Sequence, residues 1–177
     1  MIYVSKKPHG NNGWRWRIGQ IVIASAFPAS SADPGLFNFM ISGVHRGAEV
    51  FSSHARAEAL LRKHLGGRAE FGDSATPQSI VIARDDRWCK RQPADPPESE
   101  EDSYSYMIGN VFVASLTNIK SIRENGYHLY CRRVGLPDVT RVMSVTEGER
   151  MLSQALECSV ELRRRGISFV VGPNRLP

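Results

Sequence analysis

The segment Ile-Gly-Gln-Ile-Val-Ile-Ala-Ser at residues 18–25 recurs as Ile-Gly-Asn-Val-Phe-Val-Ala-Ser at residues 108–115. Four of the eight positions are identical and three more are conservative, so chance is a poor explanation. The match extends upstream to an aromatic pair, which is Trp14 and Trp16 in the first copy and Tyr104 and Tyr106 in the second. Such self-similarity indicates a duplicated supersecondary unit.

Each copy is predicted to be a ββ(β)αβ module, in which one helix packs on a small, mainly antiparallel sheet. In the first copy, apolar and β-branched runs predict strands at residues 14–25, 36–45, 48–52 and 79–84. A helix is predicted over residues 53–65, because leucines recur there at helical spacing and Gly66-Gly67 follows as a C-terminal cap.

The second copy repeats this order, with strands predicted at 104–115, 127–134 and 139–145. Its helix is predicted to begin at Thr146, because Glu149 three residues later completes a capping box. On this interpretation the run Arg163-Arg164-Arg165 occupies the last helical turn. Gly19 and Gly109 fall inside predicted strands, where glycine is typical of a bulge or a close backbone approach.

The predicted fold class is α+β, with a first module at residues 1–90 and a second at residues 104–177. Residues 91–103 form an acidic, proline-rich stretch that has too few apolar groups to offset its ordering entropy, and they are predicted to be a flexible linker. Exposed sheet edges would allow the modules to dock as a pseudo-twofold pair.

Charge is unevenly distributed along the 177 residues, which carry a net charge of +5. Residues 1–92 have thirteen Lys and Arg against seven Asp and Glu, and residues 104–177 have ten against six. Residues 93–103 have five acidic residues and no basic ones. Two basic bodies on either side of an acidic joint favour a polyanionic partner or an acidic protein surface.

A nucleic-acid surface is the first functional hypothesis, and its candidate residues are aromatic and arginine side chains. Aromatic rings interleaved with cations are the arrangement that single-strand binders use to stack bases. The predicted site residues are Trp14, Arg15, Trp16, Arg17, Arg132, Arg133, Arg163, Arg164 and Arg165. Since the basic positions differ between the copies, a single composite surface is favoured over two equivalent ones.

Two simpler interpretations compete with this hypothesis. Both copies keep aromatic residues at the same positions, which favours packing in the core over stacking on bases. The arginines of 163–165 would also stabilise the negative end of a helix dipole without any partner. The polar residues 6–13 are predicted to form a loop or arm.

Catalysis has little support, since the five histidines do not occupy matching positions and no nucleophile, metal-protease or phosphate-loop motif is present. Cys89, Cys131 and Cys158 are too widely spaced for a zinc site, so free thiols are expected and no metal or cofactor is predicted. No segment has the length of a membrane span or of a signal peptide, so a cytoplasmic location without membrane contact is expected.

The first hypothesis is therefore a non-catalytic accessory or regulatory protein that binds DNA or RNA. The alternative is a protein-binding adaptor or inhibitor, of the kind that phages and mobile elements use to block host machinery. The exposed sheet edges that each module leaves would offer such a partner a strand to pair with.

Overall fold

The repeated octapeptide forms a β-hairpin at both places in the computed structural model. The model describes residues 1–10, 12–30, 33–44, 49–72, 79–85, 103–119, 125–164 and 167–171. In the first copy Ile18 pairs with Ile21 around the turn Gly19-Gln20, and in the second Ile108 pairs with Val111 around Gly109-Asn110. The predicted strands 14–25 and 104–115 are thus each two paired strands, because these glycines take positive φ values of 56° and 58° and reverse the chain.

Six strands form the first sheet, in the order β5-β4-β3-β2-β1-β6. They are β1 (Ile2–His9), β2 (Gly13–Ile18), β3 (Ile21–Ser30), β4 (Asp33–Ile41), β5 (Glu49–Phe51) and β6 (Ala69–Phe71). All neighbours are antiparallel except β1 and β6, which are parallel. The helix α1 (His54–His64) lies directly before β6 in the chain. These elements are called the first unit below.

Seven strands form the second sheet, in the order β11-β10-β9-β8-β7-β12-β13. They are β7 (Ser79–Asp85), β8 (Tyr104–Ile108), β9 (Val111–Asn118), β10 (Tyr127–Tyr130), β11 (Val139–Val142), β12 (Ser159–Arg164) and β13 (Ile167–Val171). With the helix α2 (Val145–Leu156) they make up the second unit. Two sheets with two helices confirm the predicted α+β class.

Strand β7 lies in the second sheet, so its assignment as the closing strand of the first module was wrong. It pairs antiparallel with β8 and parallel with β12, as β1 pairs with β2 and β6 in the first sheet. The acidic stretch therefore connects two paired strands of one sheet; residues 91–102 themselves lie outside the described residues. Sequence pattern alone could not assign β7, because an apolar strand can pair within either sheet.

The predicted N-terminal arm is also corrected, because residues 2–9 form the strand β1. Residues 2–4 of β1 pair with β6, and residues 5–9 pair with β2. Pro8, which has no N–H to donate, is accommodated in the second of these segments. The run Lys6-Lys7-Pro8 hid the strand from sequence analysis.

Helix α1 matches its prediction within one residue at each end, whereas α2 is shorter than predicted. Helix α2 begins after Ser144, whose hydroxyl accepts from the Glu147 amide at 3.1 Å, while the Glu147 carboxylate accepts from the Met143 amide at 2.7 Å. The capping box is thus two residues earlier than predicted. The helix ends at Leu156, and the arginines at 163 and 164 belong to β12, which removes the helix-dipole interpretation for them.

The two hairpin turns connect the units through reciprocal contacts with the helix ends. The Gln20 amide of the first unit donates to the Ala155 carbonyl of α2 at 2.7 Å, and the Asn110 amide of the second donates to the His64 carbonyl of α1 at 2.9 Å. Each turn thereby satisfies a terminal helix carbonyl that has no partner within its own helix.

A second matched pair of hydrogen bonds joins the beginnings of β3 and β9 to the opposite unit. The Val22 amide donates to the Arg132 carbonyl at 2.8 Å, and the Phe112 amide donates to the Ser42 carbonyl at 2.9 Å. We call this line of contact the seam. One hydrophobic cluster runs through both units, and its large buried side chains include Trp16, Ile23 and Leu61 in the first and Tyr106 and Leu116 in the second.

The turn glycines provide a test of this docking. A Cβ atom on Gly109 would lie 2.3 Å from the His64 carbonyl oxygen, and one on Gly19 would lie 2.6 Å from the Ala155 carbonyl oxygen. We expect Gly109→Ala and Gly19→Ala each to lower the free energy of unfolding by about 3 kcal/mol, from backbone strain plus overpacking. Urea unfolding measures this loss.

The matched control is Gly10→Ala, because Gly10 has nearly the same φ, +57°, with no atom within 4 Å of the added Cβ. Gly10→Ala adds backbone strain without overpacking, so it should lower the free energy of unfolding by only about 1 kcal/mol. Equal losses at Gly10, Gly19 and Gly109 would mean that the inter-unit contacts contribute nothing to stability.

Candidate functional site

Trp16, a predicted stacking residue, lies in the core instead. It is fully buried, meets the Phe39 ring edge-on at 5.1 Å between centroids, and donates its indole N–H to Glu58 Oε1 at 3.4 Å. A base cannot reach it, so the packing interpretation is correct for Trp16. Trp14 points to the same face of β2 but is only partly buried.

The aromatic pair belongs to a set of four side chains that both units contain. In each set a cation from β1 or β7 forms a salt bridge with a carboxylate from the helix. One aromatic side chain donates a hydrogen bond to the same carboxylate oxygen, and the cation also lies over the ring of the second aromatic side chain. The sets are Lys6, Glu58, Trp16 and Trp14 in the first unit, and Arg84, Glu149, Tyr106 and Tyr104 in the second. This shared geometry explains why aromatics recur at these positions.

The second set is the more enclosed. Arg84 Nη1 lies 2.6 Å from Glu149 Oε1, and the two side chains are only 7% and 6% exposed, against 30% and 20% for Lys6 and Glu58. Burial opposes the charge of Arg84, but the hydrogen bond and the attraction of Glu149 outweigh it and raise the arginine pKa. Burial, together with the charge of Glu149, raises the pKa of Tyr106 well above its usual range. The Glu149 carboxylate is therefore enclosed by its neighbours, and a ligand could not approach it.

The difference in burial predicts unequal stability effects. Glu149→Ala leaves a buried guanidinium uncompensated, so we expect it to reduce the free energy of unfolding by about 3–5 kcal/mol. Glu58→Ala breaks a partly solvated pair and removes the acceptor of a long hydrogen bond from the Trp16 indole N–H, so it should cost less, about 1–2 kcal/mol. Denaturant unfolding of both variants at neutral pH makes the comparison, and a loss at Glu58 as large as that at Glu149 would contradict it.

Arg15 and Arg17 point to the opposite face of β2 from the tryptophans, away from α1. Their cross-strand neighbours on β1 are Lys7 and Ser5. Both arginines are partly exposed, yet the Nε atom of each is buried without a hydrogen-bond partner. Unsatisfied donors of this kind are unfavourable and are rare in folded proteins.

Arg132 of the second unit lies near Arg15 and Arg17. Its carbonyl bonds Val22, the cross-strand partner of Arg17, and so its side chain enters the field of Arg15. Partial burial and the positive charge of Arg132 lower the pKa of Arg15, while the nearby acid Asp138 acts in the opposite direction. Arg15, Arg17 and Arg132 therefore lie near one another, and the acid Asp138 does not offset the lowering of the pKa of Arg15. We call His9, Arg15, Arg17 and Arg132 the seam cluster.

His9 is a member of this cluster that belongs to the predicted arm at residues 6–13 and was not among the predicted site residues. It lies at the end of β1, and its ring meets the Phe27 ring edge-on at 6.4 Å. Desolvation and the charges of Arg15 and Arg132 lower its pKa below the ordinary value of 6.5. Recognising β1 as a strand paired with β2 would have placed His9 beside the arginines.

The other predicted arginines lie elsewhere or are already bonded. Arg133 donates to the Pro137 carbonyl at 2.9 Å and to the Thr140 hydroxyl, and so it braces the loop after β10. Arg163 is exposed on β12 and pairs with Glu161 at 3.0 Å. Arg164 ends β12, and Arg165 lies outside the described residues.

An aromatic pair at the seam was also missed. Tyr130 is 40% exposed, and its ring lies 6.2 Å from that of Phe112 with an interplanar angle of 34°. With Arg132 and Ser42 these residues line a small pocket of about 200 Å³ between the units. The alternation of β10, which buries Leu129 and exposes Tyr130, is the sequence signal that could have identified the tyrosine.

The described cysteines are free and unreactive, as expected. Cys131 and Cys158 are both buried. Burial raises the pKa of Cys131 to about 11 and that of Cys158 to about 12, so both thiols stay protonated at neutral pH. Cys89 lies outside the described residues.

Comparison with protein-family models, curated proteins and solved structures finds no match for the chain. Helices α1 and α2, of 11 and 12 residues, are both too short to cross a bilayer, and the described ranges contain no other helix that could do so. The chemistry of the seam cluster is therefore the basis for assigning a function.

Proposed function

We propose that this chain is a non-catalytic nucleic-acid-binding protein, an accessory or regulatory factor that holds DNA or RNA along the seam. The observation that carries the proposal is the convergence of Arg15 and Arg17 with Arg132 from the opposite unit. Burial and the charges of Arg132 and Arg17 lower the pKa of Arg15, so its charge is held there at a cost that an anion nearby would reduce. Phosphate oxygens would also accept charge-assisted hydrogen bonds from these partly exposed guanidinium groups.

The proposal includes a tandem duplication in which the two units dock with pseudo-twofold symmetry. Its supports are the matched pairs of inter-unit hydrogen bonds and the two four-residue sets. The boundary would then lie between β6 and β7, and not at residue 90. A composite surface follows naturally, since residues at the seam come from both units.

Exposed aromatics beside the cluster fit this function. Tyr130 and Phe112 lie in the pocket that Arg132 also lines, so a base could stack where the adjacent phosphate meets the arginine. Tyr130 with Arg132 thus takes the stacking role that was predicted for Trp16, which is buried.

Binding should be strongly salt-dependent and should need both units. We expect Arg132→Gln, and the double variant Arg15→Gln with Arg17→Gln, to weaken binding of a labelled single strand at low salt. Each lost phosphate contact should also reduce the slope of log K against log salt by about 0.7. Fluorescence anisotropy over a salt series measures both quantities.

The matched control is Arg56→Gln, because Arg56 is equally a surface arginine but lies on α1, on the other side of the first sheet. The same assay tests Arg133 and Arg163, which stay predicted contacts. Absence of binding to DNA and RNA at low ionic strength, or equal losses at Arg56 and Arg132, would refute the proposal.

Acidification should strengthen binding through His9. Because Arg15 and Arg132 hold the free imidazole below its ordinary pKa, a phosphate between them raises that pKa, and binding takes up a proton. We expect affinity to rise severalfold as pH falls from about 7 to about 5.5. His9→Gln should bind with a flatter pH profile, and an equal rise in the variant would assign the effect to other groups.

A protein partner is the second candidate, and one observation favours it. The loop between β10 and β11 exposes Val134 and Leu136, and Val139 at the start of β11 is also exposed. Solvent-facing apolar side chains close together mark interaction surfaces. A stoichiometric protein retained after nuclease treatment, and lost with Leu136→Asp, would favour an adaptor or inhibitor over a nucleic-acid binder.

A further inference from the structure

A second concave site lies on the helix side of the first sheet. Three aromatic rings form its wall, with the His54 centroid 5.0 Å from Trp14 and 5.1 Å from Phe37. Pro8 and Pro28 are also part of the lining, and the cavity volume is about 820 Å³. We call this site, lined by Trp14, Phe37, His54, Pro8 and Pro28, the aromatic cleft. Its size and apolar lining are typical of a pocket for a small ligand or a single ligand group.

His54 gives the cleft its specific polar group. Its Nε2 atom is buried and has no hydrogen-bond partner. Burial and the neighbouring charge of Lys6 lower the pKa of His54, while Glu58 raises it, so the ring is neutral at pH 7. A neutral imidazole nitrogen can donate or accept one hydrogen bond, and because Nε2 is buried, a ligand reaches it only when the ring turns toward the cleft.

The second unit has no counterpart to this cleft at the matching positions. Tyr104, which like Trp14 precedes the hairpin glycine by five residues, is only 8% exposed and is covered by the Arg84 guanidinium at 4.2 Å. Val145 takes the first position of α2, where His54 takes that of α1. At this position the second unit has an apolar side chain and the first has an imidazole whose Nε2 lacks a hydrogen-bond partner, which packing alone does not favour.

The tip of the β1–β2 hairpin joins the aromatic cleft to the seam cluster. Pro8 and Gly10 line the cleft, and His9 between them belongs to the cluster. On β2, Trp14 faces the cleft and the next residue, Arg15, faces the cluster. A chain whose phosphates meet the cluster therefore reaches the cleft by passing around this hairpin.

From this arrangement we propose that the aromatic cleft binds one unstacked nucleobase of the strand held at the seam. Trp14 stacks on the base, and the His54 ring turns so that its Nε2 atom makes one hydrogen bond to the edge of the base. The inference rests on the proposed function. It deepens that function by making the ligand single-stranded, because a base can enter the cleft only when it is unpaired.

The test compares two single strands of about 12 nucleotides, one of oligothymidylate and one with the same phosphates but abasic sugars. Fluorescence anisotropy at low salt gives both affinities. We expect wild type to prefer the base-bearing strand. Trp14→Ala should weaken binding of that strand about tenfold and leave the abasic strand unchanged.

Two variants separate recognition from folding. His54→Val copies Val145 of the second unit, so it should fold and yet weaken binding of the base-bearing strand about threefold, as the loss of one hydrogen bond predicts. Trp14→Tyr copies Tyr104 and should retain most of the affinity. A wild-type thermal midpoint for each variant confirms the fold.

The outcomes distinguish this inference from the function on which it rests. Wild-type protein that binds both strands equally, or a Trp14→Ala variant that weakens both alike, overturns the aromatic cleft and leaves the seam cluster in place. Failure of wild type to bind either strand overturns both proposals.

Discussion

Two backbone amides, those of Gln20 and Asn110, cross from one half of the chain to the helix end of the other, and the relative position of the two units depends on them. Buried carbonyls at a helix C-terminus need a donor. In each unit the donor is the amide of the second residue of a tight turn. The first residue of that turn must be glycine, because any Cβ there would clash with the backbone of the helix end. The arrangement is reciprocal, so each unit completes the other's helix.

This docking brings the loop after β10 against the start of β3 and so creates the seam. Arginines that are more than a hundred positions apart in sequence then share one electrostatic environment, with Asp138 as a nearby acid. On the helix side of the sheet, by contrast, the cations Lys6 and Arg84 are bonded to carboxylates. The cations on the helix side are thus paired with carboxylates, whereas the arginines at the seam lie near one another, and this contrast underlies the proposed phosphate contacts.

Sequence pattern predicted the α+β class and helix α1. It placed Trp16 among the predicted stacking residues, with packing as the competing interpretation, and the structure buries the side chain. Sequence pattern failed where the chain departs from a simple apolar alternation. Strand β1 was hidden by Lys6, Lys7 and Pro8, although pairing with β2 makes those residues extended. The end of α2 was missed because the apolar spacing continues through Val160, whereas Glu157 adopts a positive φ of 55° and the chain enters β12. Of the predicted arginines, 15, 17 and 132 converge, and their partner His9 could be recognised only through β1.

The sequence by itself determined that a hairpin glycine, an apolar strand and an aromatic pair recur in the same order, because each is required by local backbone geometry or burial. Only the tertiary structure decided which sheet β7 joins, which face of β2 meets water, and that Arg132 lies beside Arg15. Strand partners and docking contacts depend on the hydrogen bonds and packing available across the whole molecule, and local periodicity carries no information about which distant segment will supply them.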